Sequence, residues 1–186
     1  MSRVFNISHH KCGTTSVHRA LEILGFKSYH WSDPDRLLQV YLQGSVASDP
    51  LLTEDNTAWN DLPITLMYRS LYEAFPDEVF IFIRRDPLSW IESLRRHIAG
   101  SWPGELPIHT LVYGYPIKAS NFDVKTCLRV YDRLCRDIIE FFHGKPNFHL
   151  IEFGELSWKT LCAATGKKEP EVSFPMENKR APQIAL

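Results

Sequence analysis

The stretch RVFNISHHKCGTTSVHRALEILGF, residues 3–26, decides the fold. Its apolar start over residues 4–8 predicts a buried strand, and the pattern over residues 14–24 predicts a helix that ends at Gly25. The polar turn between them holds one lysine, one glycine and three consecutive hydroxyl residues. A strand that leads through a short turn into a helix is typical of a sheet whose strands are joined by helices.

Length, composition and charge limit the class of protein. The chain has 186 residues, enough to bury a real core, and we expect residues 1–186 to form a single domain. Its formal net charge of −1 argues against broad binding to nucleic acid, which needs many clustered cations. No apolar run reaches the roughly 20 residues of a membrane span, and the N-terminus lacks the apolar region of a signal peptide. We therefore expect a cytoplasmic protein that contacts neither membranes nor nucleic acid.

The cysteine and histidine patterns predict neither disulfides nor a metal site. No CxxC pair is present, so with no export signal we expect reduced thiols at Cys12, Cys127, Cys135 and Cys162. His9 and His10 are adjacent but lack an HExxH pattern or a nearby Cys/His pair.

The rest of the chain alternates between helical and strand patterns. Helices are predicted from Ser32 to Gln43 and over residues 63–75, 87–99, 123–143 and 155–164, and strands over residues 79–83 and 148–153. Residues 45–60 are expected to be mostly loop, and residues 100–122 a lid or binding loop. This alternation predicts a three-layer α/β fold with a mainly parallel central sheet flanked by helices. Ligands of such sheets lie at the carboxyl ends of the strands.

The turn between the first strand and helix has the chemistry of an anion site. A helix N-terminus offers free backbone N–H groups and a partial positive charge. Glycine lets the backbone approach an oxyanion, the hydroxyl groups add donors, and the lysine adds a full charge. A phosphate or sulfate site is therefore predicted at Lys11, Cys12, Gly13, Thr14, Thr15 and Ser16. A Walker A loop is excluded, because no glycine precedes the lysine and no GK[ST] follows.

Two motifs resemble those of sulfotransferases that use 3′-phosphoadenosine 5′-phosphosulfate (PAPS). Lys-Cys-Gly-Thr-Thr-Ser resembles the family's 5′-phosphosulfate loop, PKxGTT, with His10 in place of the proline. FPDEVFIFIRRDPLSWIESLRRH, residues 75–97, resembles the family's FPxxKFIxxxRDPxxxxxSxxxH. The resemblance implies that Arg85 and Ser93, eight positions apart, bind the 3′-phosphate. Arg84 then lies on the other side of the strand, at the surface.

The resemblance also implies the architecture and the reaction. A P-loop-like sulfotransferase fold would transfer a sulfuryl group from PAPS to a hydroxyl or amine of an acceptor, either a small molecule or a glycan. Lys11 would stabilise the leaving phosphate, and no metal ion is required. The segment FPMENKR, residues 174–180, resembles a C-terminal element that closes over the nucleotide, which implies a phosphate contact from Lys179 or Arg180.

The general base is open at this point. Many cytosolic sulfotransferases carry a catalytic histidine in His-Leu-Pro, and this chain has Asp61-Leu62-Pro63 in the corresponding place. Asp61 is therefore the first candidate, although an aspartate before a predicted helix is also a typical cap. His97 is the second candidate, against a solvent-facing role at the end of a helix. His9 and His10 flank the loop and are further candidates for contact with ligand or acceptor.

The last predictions concern the residues of the acceptor pocket and two alternative functions. Candidate pocket aromatics, which are equally expected in the core, are Trp31, Trp59, Tyr68, Trp102, Tyr113 and Tyr115. A P-loop kinase or nucleoside-triphosphate hydrolase is one alternative, with Asp86 as its magnesium-holding acid. A non-catalytic nucleotide-binding module derived from a sulfotransferase is the other.

Overall fold

Five parallel strands form the centre of the fold over residues 3–101 and 106–176, which are the residues that the structure, a computed structural model, describes. The strands are β1 (Val4–Asn6), β2 (Lys27–His30), β3 (Thr57–Asn60), β4 (Val79–Arg84) and β5 (Phe148–Glu152). They lie in the order β2–β3–β1–β4–β5, and each neighbouring pair runs parallel. Val4 pairs with Ala58 on one side and Val79 on the other, so β1 lies in the middle.

Seven helices within these ranges flank the sheet and complete a three-layer α/β fold, which confirms the predicted fold class. They are α1 (Thr14–Ile23), α2 (Pro34–Leu42), α3 (Tyr68–Ala74), α4 (Pro87–Ser101), α5 (Pro107–Tyr113), α6 (Val124–Phe142) and α7 (Trp158–Thr165). Four of them follow a residue whose side chain accepts a hydrogen bond from a first-turn amide, namely Asp33, Asp86, Asp123 and Ser157.

Apolar side chains decide which elements lie in the core. β1 and β3 are buried along their whole length, and β4 is buried over residues 80–83. Such continuous burial is typical of parallel strands that are covered on both faces. The longest helix, α6, packs through a stripe of residues at helical spacing, which are Cys127, Tyr131, Cys135, Ile138 and Phe142.

The prediction from sequence missed two strands. β2 has the polar sequence KSYH and is only half-buried, because it lies at the edge of the sheet and pairs with β3 alone. β3 lies inside residues 45–60, which were predicted to be mostly loop, and spans only four residues. Its sequence TAWN has no continuous apolar run, and its burial comes from pairing with β1 and β2.

Three further predicted boundaries were wrong. α3 begins at Tyr68 rather than at residue 63, since residues 63–67 form hydrogen-bonded turns. Residues 100–122 are not one irregular loop, because α4 continues to Ser101 and α5 occupies Pro107–Tyr113 with a proline in its first turn. α7 begins three residues later than predicted, where the Ser157 hydroxyl caps it.

The direction of the chain across the sheet changes between β1 and β4. From β1 the chain passes through α1 to the edge strand β2, whereas from β4 it passes to the opposite edge, β5. Ligands in open α/β sheets bind in the crevice at such a switch point, beyond the carboxyl ends of the strands. The loops that follow β1 and β4 therefore flank the crevice where a site is expected.

Some simple features of the described residues bear on the function. The four cysteines are buried and free, as the sequence predicts. Between residues 3 and 101 and between 106 and 176, the structure contains no helix of the length and hydrophobicity that a membrane crossing requires. In the same ranges, no three His, Cys, Asp or Glu side chains are grouped in a way that could hold a metal ion.

Candidate active site

The loop between β1 and α1 ends in an open helix N-terminus. Gly13 is the N-cap of α1 with φ of 80°, and because glycine has no side chain the N-cap residue provides no side-chain cap. The first turn of α1 contains no acidic residue of its own, and the carboxylate that reaches it is Asp61 at the end of β3, which accepts a hydrogen bond from the Thr14 hydroxyl. Lys11, two residues before the helix cap, also has a positive φ of 64°. This uncapped end has the donors and the electrostatics that an oxyanion requires.

Gly13 lies close to the segment that follows β5. A Cβ atom at this position would lie 3.1 Å from Cε2 of Phe153 and 3.4 Å from Cδ2 of Leu156. Its left-handed backbone conformation is also unfavourable for residues that carry a side chain. Glycine therefore allows the loop to pack directly against the Phe153 ring.

Cys12 attaches the same loop to α6. Its Sγ atom lies 3.8 Å from the hydroxyl oxygen of Tyr131. Burial raises the pKa of the Cys12 thiol to about 12, so the thiol is neutral at physiological pH. The side chain of Cys12 packs the loop and is not a reactive nucleophile.

Arg85 follows β4 and is hydrogen-bonded to the loop after β1. Its Nη1 atom donates to the carbonyl oxygen of Lys11 at 2.8 Å, and its guanidinium carbon lies 4.5 Å from the centre of the Phe153 ring. The Tyr131 hydroxyl accepts a hydrogen bond from the Arg85 amide at 2.9 Å and donates to its carbonyl at 2.6 Å. The two motifs that are distant in sequence therefore meet at one place.

The Arg85 guanidinium is incompletely satisfied. Its Nε atom is buried and has no hydrogen-bond partner within residues 3–101 and 106–176. Burial lowers the pKa of Arg85 below its ordinary value, which shows that its charge is partly desolvated. A buried donor without a partner costs free energy, and a bound anion would supply that partner.

Arg84 lies on the opposite side of the strand, as the alternation of side chains predicts. It forms an ion pair with Glu152, and the two side chains are 46% and 42% exposed. The hydrogen bond that Arg84 donates to Glu152 raises the pKa of Arg84. Arg84 is therefore a surface residue, and Arg85 is the arginine that faces the loop.

The start of α4 lies beside Arg85. Asp86 caps this helix, since its Oδ2 atom accepts a hydrogen bond from the Ser89 amide at 2.8 Å, and Ser89 is the main cause of the lowered pKa of Asp86. Ser89 lines a cavity of about 320 Å³ together with Arg85 and Phe153. Ser93, half-buried one turn further along, does not line this cavity. The motif spacing selected Ser93, and Ser89 was not among the predicted site residues.

Asp61 follows β3 and is buried, with both carboxylate oxygens engaged. Oδ1 accepts a hydrogen bond from the Leu62 amide at 2.8 Å, and Oδ2 accepts one from the Thr14 hydroxyl at 2.9 Å. Burial on its own raises the pKa of Asp61, but the hydrogen bond and charge of His30, with the Leu62 and Thr14 donors, lower it below its ordinary value. Asp61 does not cap a helix, because α3 begins only at Tyr68.

His30, at the end of β2, was not predicted as a site residue. Its Nε2 atom lies 3.2 Å from Oδ2 of Asp61, 3.2 Å from Oγ1 of Thr14 and 3.5 Å from Oγ1 of Thr15. Its ring stacks on that of His18, with 5.5 Å between the centres. Recognising KSYH as a strand would have placed His30 at the carboxyl end of β2, beside the end of β3.

Four further histidines lie near the loop and form what we call the histidine cluster: His9, His10, His97 and His109. Burial lowers the pKa of His9 and of His109 to about 4, and it lowers the pKa of His10 well below its ordinary value. The half-buried His97 contributes to the lowered pKa of both His10 and His109. His97 therefore faces the histidine cluster rather than open solvent.

Helix α5 packs against α2 and α6, and two of the predicted pocket aromatics lie at its inner side. The Tyr113 hydroxyl is hydrogen-bonded to Nε2 of His10. The Trp31 ring stacks on His109, with 5.6 Å between the centres. The predicted lid segment therefore covers the histidine cluster with an ordered helix.

The other predicted aromatics have different positions. Trp59 is 1% exposed and stacks on Tyr29, and Tyr68 is 6% exposed and packs on Phe141, so both belong to the core. The Tyr115 hydroxyl contacts the Cys127 thiol. The remaining predicted site residues lie outside the described residues, and they are Trp102, Lys179 and Arg180.

The parallel sheet flanked by helices defines an α/β protein. Its candidate site is P-loop-like and lies at the switch point, where an open helix end follows the first strand and Arg85 follows the fourth. A family model described as a sulfotransferase domain matches residues 3–182, and the chain belongs to this family. The resemblance seen in residues 11–16 and 75–97 is thereby confirmed.

A solved structure supports the same fold. The crystal structure of a sulfotransferase from Alicyclobacillus acidocaldarius is similar over 98% of this chain and 87% of that chain, with a TM-score of 0.57 and 16% sequence identity. At this identity the likeness concerns the fold. A comparison with curated protein sequences gives no match.

Proposed function

We propose that this protein is an enzyme that transfers the sulfuryl group of PAPS to a hydroxyl or amine of a small-molecule or glycan acceptor. The observation that carries the proposal is the hydrogen bond from Arg85 to the Lys11 carbonyl, since it joins the two candidate phosphate-binding motifs. Membership of the sulfotransferase family supports the transferase class.

The residues of the site fit such a donor. The uncapped N-terminus of α1 suits the 5′-phosphosulfate, with the Lys11 ammonium and the donors of Gly13, Thr15 and Ser16 around it. The Thr14 hydroxyl donates to Asp61, so Thr14 contributes its backbone amide. The unsatisfied Arg85 guanidinium suits the 3′-phosphate, and the neighbouring cavity of about 320 Å³ offers space beside it. Ser93 and Arg180 remain candidates for the same phosphate.

The proposed chemistry is an in-line transfer. A lone pair of the acceptor forms a bond to sulfur while the bond from sulfur to the bridging phosphate oxygen breaks. Lys11 neutralises the negative charge that develops on that oxygen. Positioning and electrostatic stabilisation supply most of the acceleration in such transfers, as they do for phosphoryl groups. The scheme requires no metal ion. It does require a base that removes the proton of the acceptor, and the candidates from the sequence are Asp61 and His97.

The proposal is tested first by nucleotide binding. Calorimetry should detect binding of adenosine 3′,5′-bisphosphate without magnesium, and the bound nucleotide should raise the melting temperature. A preference for ATP with magnesium would support the kinase alternative instead. That alternative needs an acid free to hold magnesium, whereas the Asp86 carboxylate caps α4.

Turnover is the second test. Release of adenosine 3′,5′-bisphosphate from PAPS should accelerate with at least one member of a panel of phenols, alcohols, amines and oligosaccharides. Nucleotide binding with no release on the whole panel would support the non-catalytic module.

A further inference from the structure

We propose that His30 is the catalytic base that removes the acceptor's proton, and that Asp61 is the positioning residue that holds its ring. The inference rests on the proposed sulfuryl transfer, and it names the residue for the one step that this proposal leaves open, the removal of the acceptor's proton. The observation behind it is a carboxylate–imidazole pair at the carboxyl ends of β2 and β3, with 3.2 Å between Nε2 of His30 and Oδ2 of Asp61.

The pair has the arrangement of an oriented base. In such arrangements an imidazole accepts the proton, and a buried carboxylate fixes its tautomer and stabilises its charged form. Asp61 is the buried partner, since its side chain is 10% exposed, and the His30 side chain is 22% exposed. The carboxylate is itself held by the Leu62 amide and the Thr14 hydroxyl. The Nε2–H group of His30 therefore points to Asp61, and Nδ1 carries the lone pair.

The pair is linked directly to the predicted donor site. The Thr14 hydroxyl that donates to Asp61 belongs to the first residue of α1, and the Thr15 hydroxyl lies 3.5 Å from Nε2 of His30. The imidazole thus lies beside the open helix end where the phosphosulfate is proposed to bind.

Asp61 and two of the buried histidines are weaker proton acceptors. Asp61 has a lowered pKa, so its carboxylate takes up a proton reluctantly at neutral pH. Burial lowers the pKa of His9 and His109 to about 4, so these two rings are also poor bases. His30 differs from them in its geometry, because its Nε2 atom lies 3.2 Å from a carboxylate oxygen of Asp61.

The groups that face His30 are few. Asp61 faces it from the end of β3, and His18 faces it from α1 with stacked rings. His18 is hydrogen-bonded to Ser28 at 2.9 Å and lies 3.7 Å from Glu22. The Asp61 carboxylate is therefore the charged group within hydrogen-bond distance of the His30 ring.

The proposed step balances as follows. The acceptor oxygen or nitrogen forms its bond to sulfur, and the electron pair of the broken sulfur–oxygen bond stays on the 5′-phosphate. The proton of the acceptor passes to Nδ1 of His30, which becomes an imidazolium next to the Asp61 carboxylate. Solvent then removes the proton after the products leave.

Three variants test the assignment: His30→Gln, Asp61→Asn and His18→Gln. His18→Gln is the matched control, because the His18 ring stacks on His30 but has no contact with Asp61 in the described structure. His30→Gln should lower turnover by about 10²- to 10⁴-fold, the range for loss of a general base, and leave bisphosphate affinity unchanged. His18→Gln should retain turnover. Turnover is measured as release of adenosine 3′,5′-bisphosphate from PAPS with the best acceptor of the panel.

Nuclear magnetic resonance of the full chain, labelled with nitrogen-15, distinguishes a positioning role of Asp61 from a purely structural one. The His30 ring should be the Nε2–H tautomer in the wild type and should lose this preference in Asp61→Asn. The dependence of turnover on pH should also differ in shape between the wild type and the residual activity of His30→Gln.

The outcomes separate this inference from the proposed function. If the wild type does not bind the bisphosphate, the proposed function fails before any variant is made. If the wild type turns over and His30→Gln does so at a similar rate, or if the His30 ring is the Nδ1–H tautomer, only the role of His30 is overturned. A wild type that binds nucleotide but never turns over also overturns that role.

Discussion

At the residue scale, Lys11 is the side chain on which the proposed transfer depends most. Lys11→Ala should lower turnover by about 10²- to 10³-fold, the typical loss when one group that stabilises a developing negative charge is removed. Bisphosphate affinity should fall much less, because the open end of α1 and Arg85 remain. Steady-state release of the bisphosphate and calorimetry measure the two effects. Lys125→Ala, at an exposed position of α6, is the control. Wild-type turnover in Lys11→Ala would show that Lys11 has no role in the mechanism.

The two adjacent arginines provide a matched pair. Arg85→Ala should weaken binding of adenosine 3′,5′-bisphosphate by about 10- to 100-fold, because it removes a charge-assisted contact of about 1.5–3 kcal/mol. Arg84 lines the same cavity, but its side chain is already paired with Glu152. Arg84→Ala removes this exposed ion pair, which is worth about 0–1 kcal/mol, and should lower affinity much less. Calorimetry on both variants measures the difference. Equal losses of affinity would contradict the assignment of the phosphate contact to Arg85.

At the element scale, the turn from β1 into α1 depends on Gly13. Gly13→Ala and Gly44→Ala both place a side chain at positive φ, which costs about 1–2 kcal/mol. Gly13→Ala also brings Cβ to 3.1 Å from Phe153, whereas nothing lies within 4 Å at Gly44. Urea denaturation should therefore show a larger loss of the free energy of unfolding for Gly13→Ala, and calorimetry a weaker nucleotide affinity. Equal losses would mean that the Phe153 ring moves aside without cost.

The elements with a strong hydrophobic pattern were the ones that the sequence predicted well. β4 has a continuous apolar run, and α6 has a clear stripe at helical spacing, so both were found with nearly correct ends. β2 and β3 were missed because their stability comes from pairing with neighbours rather than from their own side chains. Missing β2 had a direct consequence for the site, since His30 is its last residue.

At the scale of the whole molecule, the candidate site combines loops from four strands. Its local part, residues 11–16 with Arg85, could be predicted because each motif is continuous in sequence. Its non-local part could not, since the hydrogen bond between His10 and Tyr113 joins residues 103 apart, and that between Thr14 and Asp61 joins residues 47 apart. Only the folded arrangement of the sheet brings such pairs together.

The buried histidines make the stability of the whole molecule depend on pH. Burial lowers the pKa of His9 and His109 from 6.5 to about 4, so between these values the unfolded chain binds more protons than the folded one. The free energy of unfolding is therefore highest above pH 6.5 and falls as the pH drops towards 4, by about 3 kcal/mol for each histidine. Urea denaturation at pH 7.5 and pH 5 should show about 2 kcal/mol of this loss for each histidine. His109→Gln should reduce the dependence on pH, whereas His143→Gln, at an exposed position after α6, should not. A free energy of unfolding that stays constant over this range would contradict the burial of these neutral rings beneath α5 and the loop.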